Sequence, residues 1–247
     1  MKRLLIISVF LTVTYCASAQ IIASEDTLFN FRIKLVESFM KRFNSGESIV
    51  PLFDQEMLGS DAQTVKDAED FSNVALKSGA KLHYADTTWL AVAPCSGKLN
   101  GKNVEFVLIL NVENYVKDQY KWVIVKAEGN IFKLSPPAND KTIITPLAHE
   151  TNFMELARLR PPSILSVSHK RYELDPTAVF FTLYHTKQLT IDYVANLQFM
   201  FFQVPGYVFT IKEFDRQTKN AGWLITSIEK MNEKDKNNLL KSLNYEK

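Results

Sequence analysis

The sequence predicts an α+β protein, with N-terminal helices packed on a curved antiparallel sheet that is duplicated in one reading. Three observations carry this expectation. Apolar residues recur at helical spacing near the N-terminus, the period changes to two from Lys81 onward, and a strong two-residue hairpin signal, Asn100-Gly101, lies within the alternating region. A chain with 46% apolar residues, 17 Phe and 9 Tyr has ample material for a core.

The first nineteen residues read as a signal peptide. Lys2 and Arg3 form a positive n-region, Leu4 to Val13 an apolar segment, and Ala17-Ser18-Ala19 a small-residue cleavage site, so the mature chain is expected to begin at Gln20 after Ala19. The apolar segment is shorter than the roughly twenty residues of a membrane span. This places the protein in the bacterial periplasm or cell envelope, or outside the cell. Cys16 admits a second reading, as the lipid-bearing residue of a lipoprotein, although bulky Tyr15 fits such a signal poorly. Cleavage would remove two positive charges and no negative one, taking the formal charge from +2 to zero. A neutral chain lacks the long-range field that draws proteins onto nucleic acid or anionic lipid, and no nucleic-acid partner is expected. Only Cys95 would remain, which leaves no intramolecular disulfide and reads as a buried small apolar residue.

Residues 24–46 read as a helix, with Ser24 as cap and Gly46 as stop. Leu28, Phe31, Leu35, Phe39 and Phe43 form its stripe. Residues 47–60, with Pro51 and Gly59, are a connection. A second helix is expected from Asp61 to Ser78, with Val65, Ala68, Phe71 and Ala75 inward and Gly79 at its end. Strand patterns follow at 81–93, 103–113, 120–128 and 130–134, with Ser96-Gly97 and Gly129-Asn130 as turns. Ser135 to Asp140, with two prolines, marks a linker spanning 135–146. A short helix over 147–159, stopped by Pro161-Pro162, leads into strand patterns at 163–173, 178–185, 188–194, 197–204, 207–214 and 222–229. The charged tail 232–247 carries Leu239, Leu240 and Leu243 at helical spacing and is expected to dock loosely.

The expected domains are therefore a signal peptide (1–19), an α+β domain (20–134), the linker (135–146), a second, mainly β unit (147–231) and the tail. An internal echo supports two units. Residues 106–129 and 208–230 each hold a strand, a polar turn and a Trp that opens a further strand, Trp122 in one and Trp223 in the other. Two unrelated hairpins would look the same at this level.

The order of a long helix bearing Phe39-Met40-Lys41-Arg42-Phe43-Asn44, a second helix and a meander closing on the Trp122 strand resembles the NTF2-like, or cystatin-like, α+β proteins. The resemblance covers about 25–134, more loosely 147–230, and rests on element order. It implies a bent sheet wrapping helices into a cone. Catalytic members place Asp, His or Tyr inside that cone, but no such set maps onto this sequence residue by residue.

Chemistry-bearing motifs are sparse. His149-Glu150 begins like a zinc-protease motif, but Phe153 stands where the second His is required. His83, His169 and His185 have no ligand spacing, the eight glycines form no phosphate loop, and no nucleophile elbow occurs. No catalytic residue, metal or cofactor is expected. Tyr84, Trp89, Tyr120 and Trp122 are the candidate ligand-binding residues, as aromatics able to line the mouth of a cone. The expected function is an exported, noncatalytic module binding a small molecule or a protein. The alternative is a hydrolase or isomerase acting inside the cone, with His83, Tyr84 and Asp86 the groups to inspect.

Overall fold

A computed structural model of the chain describes residues 35–116, 119–133, 144, 150–169, 171–216 and 219–243. The expected signal peptide, its Ala19/Gln20 cleavage site, and the 135–146 linker apart from Ile144 lie outside these residues. The chain is α+β. It forms two compact units, each made of two stretches of sequence: one holds residues up to Tyr84 with Gln203–Glu229, the other Ala85–Phe202 with Lys230–Lys247. This grouping differs from the expected succession of 20–134 and 147–231.

In the first unit, α1 (Leu35–Asn44) buries Phe39, Met40 and Phe43, while Glu37 and Lys41 pair at 2.7 Å on its wet side. A 3-10 turn over Val50–Leu52 holds Pro51 in its first turn, and the short α2 (Gln55–Leu58) is capped by Asp54. Helix α3 (Ala62–Ser78) starts where Asp61 accepts the Thr64 N–H at 2.8 Å. It ends at Gly79, whose φ of +65° suits a residue without Cβ. Ala68, Phe71 and Ala75 face inward as expected, but Val65 is exposed.

These helices pack on two hydrogen-bonded neighbouring strands, Tyr207–Phe214 and Gly222–Lys230 (β6 and β7 in chain order). Phe43 stacks on Phe209 at 5.6 Å, and Phe71 meets Phe209, Tyr207 and Phe53 edge-on at 5.3–5.8 Å. Such aromatic pairs add to the area they bury. Phe53 bridges Ile225, and the next residue, Asp54, donates its N–H to the Ile225 carbonyl at 2.9 Å.

In the second unit, β1 (Trp89–Leu99) is central. It pairs antiparallel with β2 (Lys102–Val116), which pairs with β3 (Gln119–Glu128). Along its other edge β1 pairs first with β5 (Gln198–Phe201) and then with β4 (Leu189–Val194). Asn100 and Gly101 form the expected tight turn, with φ of +50° and +81°. Helix α4 (Pro176–His185) covers one sheet face, where Phe180 joins Phe106, Leu108, Ala127, Phe132 and Leu189 in the core. Helix α5 (Glu233–Leu243) ends the described chain. Its Lys236 is buried, with the ammonium donating to Glu233 at 3.1 Å, so the tail is more than a solvated segment.

Several expected strands take other forms. The 81–93 strand begins only at Trp89, because nearby side chains occupy the backbone groups that a ladder needs. The Asn44 amide binds both the N–H and the C=O of Leu82 at 2.8 Å, and Asp86 accepts the Thr88 N–H at 2.8 Å. Residues 130–132 form a 3-10 turn that seats Phe132 in the core. Pro161–Val167 is 3-10, with Pro in its first turn, and the short helix expected over 147–159 is 3-10 over Glu150–Arg158, residues 147–149 lying outside the described ones. The 178–185 run is helix α4: its β-branched and aromatic residues masked the start signal of Asp175, which accepts the Thr177 N–H at 2.9 Å, followed by Pro176. Ser96-Gly97 is no turn, and lies inside β1 where the pairing with β4 shifts register.

Candidate functional site

Along β1, Trp89, Ala91, Ala93 and Cys95 point to the same sheet face. Register carries this face across the sheet. Ala91 sits opposite Leu110 and Phe199, Trp89 opposite Phe201, and Val112 opposite Trp122. One end of the face is closed by α4, and the other holds an aromatic cluster. Trp89 meets Trp122 edge-on at 4.6 Å, lies 5.3 Å from both Phe199 and Phe201, and Phe199 is 5.9 Å from Trp122.

Burial divides the cluster into support and surface. Trp89 is 5% exposed and Phe201 is fully buried, whereas Trp122 is 39% exposed and Tyr120, two residues away on the same strand and face, 38%. β1 begins at Trp89, while β2 and β3 continue beyond it as a two-stranded ribbon with Asn114 opposite Tyr120. The indole of Trp122 therefore forms a half-open platform, fixed from beneath by Trp89 and Phe199. On the other face of the ribbon, Lys121 lies 4.7 Å over the Tyr115 ring and 3.5 Å from Glu113.

Of the four aromatics singled out in the sequence, the structure joins Trp89, Tyr120 and Trp122 on one face. Trp89 serves as buried support, because its pairing with Phe201 and stacking on it at 5.3 Å hold it inside. Tyr84 belongs to the other compact unit, where it is exposed and stacks on His83 at 4.8 Å. Sequence reasoning missed Phe199 as part of the platform. Its signal was the Phe199-Met200-Phe201-Phe202 run, which reads first as a strand buried on both sides or a domain interface and only second as an exposed apolar surface.

Two polar residues singled out in the sequence have local tasks. Asp86 accepts the N–H and hydroxyl of Thr88 at 2.8 and 2.7 Å, and His169 accepts the Arg171 N–H through Nδ1 at 3.1 Å. Cys95 is buried, and its thiol contacts the Ala93 carbonyl at 3.3 Å. Burial pushes its pKa up, which disfavours the nucleophilic thiolate. A cleft of about 580 Å³ beside Cys95 is lined by Ser96, Glu105, Glu128 and Asn196 on the sheet's other face. Among the described residues, no three His, Cys, Asp or Glu side chains gather as a metal site, and no helix is long and apolar enough to cross a membrane. No protein-family model, curated protein or solved structure matches the chain.

Proposed function

We propose that this is an exported, noncatalytic binding module of the NTF2-like kind, which engages an apolar, ring-bearing ligand or partner group through Trp122 and Tyr120. One observation carries the reading. A half-exposed indole is held in place by buried aromatics, and an interaction surface gains from such an anchor because little side-chain freedom is lost on contact. Export is supported by the n-region, apolar segment and Ala17-Ser18-Ala19 site of the leader.

Titration of the mature chain with 1-anilinonaphthalene-8-sulfonate tests the surface. The dye should brighten on the native protein, and the gain should fall severalfold in Trp122→Ala/Tyr120→Ala with the fold intact by circular dichroism. Equal dye response in both proteins would refute the site. N-terminal sequencing of the protein from a cell-envelope fraction tests export independently and should begin at Gln20. An intact Met1, or a lipid-modified Cys16, would overturn that cleavage.

A further inference from the structure

We infer that the second unit holds a peptide-docking groove between helix α4 and the outer edge of β4, separate from the aromatic platform. The edge is open among the described residues, since β4 pairs with β1 alone. The direction of its backbone groups follows from two contacts. The Gln188 carbonyl accepts the Asn100 N–H at 2.8 Å, and the Thr190 carbonyl points at the Gly97 Cα within β1. Across a trans peptide the N–H points opposite to the C=O, so the N–H groups of Leu189 and Ile191 face away from β1. They are donors on an edge, placed to receive the carbonyls of an added strand.

Beside this edge lies a cleft of about 750 Å³, within the range of ligand sites, lined by Phe181, Tyr184 and His185 of α4, Lys187 of the turn, and Leu189, Thr190 and Ile191 of β4. Helix α4 is rich in apolar residues that do not gather on a single stripe, a pattern ordinarily found where a helix is covered on more than one side. Yet Phe181 and Tyr184 are about half exposed. The polar groups of β4 turn to the opposite face, where the Thr190 hydroxyl donates to Asp192 at 2.9 Å and Lys98 stands 4.0 Å from Asp192. An added strand would therefore direct alternate side chains against Phe181 and Tyr184 while its backbone meets β4.

The occupant is a short extended peptide with alternating apolar side chains and an acidic residue or free carboxylate near Lys187 and His185. Two features favour a short peptide over a second copy of β4. The regular edge runs only from Leu189 to Ile191 before the bulge, and bulges of this kind impede strand-to-strand pairing of whole sheets. Lys187, in the turn that follows α4, supplies the charge complement.

A random heptapeptide phage library selected on the mature chain should yield peptides with this alternation. The synthetic consensus peptide is then titrated by fluorescence anisotropy. Ile191→Pro removes an outward N–H, a change that edge strands tolerate, and it should weaken binding at least tenfold, as should Phe181→Ser/Tyr184→Ser. Should Ile191→Pro fail to fold, methylating alternate backbone nitrogens of the peptide tests the companion hydrogen bonds of the same added strand, those donated by the peptide N–H groups to the β4 edge, on the wild-type protein. Binding in one methylation register should be lost and in the other retained. No solution binding by any selected peptide, or equal binding by all variants and both registers, would overturn the groove. Self-association of the wild type by sedimentation that Ile191→Pro abolishes would assign the edge to a second copy and overturn the peptide.

Discussion

Gly97 and Thr190 lie so close across the β1–β4 bulge that a β-carbon on Gly97 would collide with the Thr190 carbonyl oxygen and stand 2.9 Å from its carbon. Both atoms belong to the backbone, so no side chain can move aside. Gly97→Ala must separate the strands, and we expect it to cost about 3 kcal/mol or more, at the upper end of overpacking. Gly101, with nothing near its missing Cβ, sets the contrast. Gly101→Ala should cost about 1–2 kcal/mol through its positive φ alone. Urea midpoints of the two variants check the order, and equal losses would refute the close approach.

Arg216 clasps Asp54 within the first unit. One guanidinium nitrogen contacts the Asp54 carboxylate, another reaches Glu56 at 3.4 Å, and Nε donates to the Asn220 carbonyl at 2.9 Å. Asp54 also caps α2 by accepting the Glu56 N–H at 3.0 Å. Both partners are largely buried, so removing Asp54 leaves Arg216 the exposed Glu56 carboxylate in place of a buried one. Asp54→Ala should lower stability by about 2–4 kcal/mol. A double-mutant cycle with Arg216→Met should show strong coupling, and additive losses would refute the clasp.

Cys95 should be inert in the native protein. Its folded pKa is raised by burial, so its contribution to stability is complete below the unfolded thiol value of about 8.5 and is lost as pH rises toward the folded value. Reaction with a disulfide reagent at pH 8 should be slow without denaturant and fast in urea. Rapid labelling of the folded chain would show an accessible thiol.

Asp61 carries the opposite sign. The Thr64 N–H, and then its hydroxyl, hold the carboxylate pKa down. Its stabilising effect is present above the unfolded value of about 3.9 and is lost as pH falls through the lower, folded value. Asp61→Ala should lower the melting temperature at neutral pH and flatten its decline between pH 4 and 2, as read by circular dichroism. An unchanged acid profile would refute the role.

Trp89 and Trp122 should separate stability from surface. Trp89→Ala empties a buried site among Trp122, Phe199 and Phe201 and should cost about 3–5 kcal/mol. Trp122→Ala, at a half-open position, should cost less than about half of that. Chemical denaturation of each variant tests the difference.

Elements governed by local rules were legible in the sequence. The α+β class, the α3 boundaries at Asp61 and Gly79, the Asn100-Gly101 turn and the β6 and β7 strands follow from capping, positive φ and alternation, which neighbouring residues specify. Other features depended on residues distant in the chain. The 178–185 run has the composition of a strand, yet its Phe180 completes a core with Phe106 and Phe132, and the Asp175-Pro176 start makes it helical. Gly97 looks like a turn glycine until Thr190, more than ninety residues away, is brought against it. The same holds for the candidate site. The sequence marked Trp89, Tyr120 and Trp122 as aromatics. Only strand register could make Trp89 the buried support and Trp122 the open surface, because pairing between distant strands decides which rings share a face and which of them is covered.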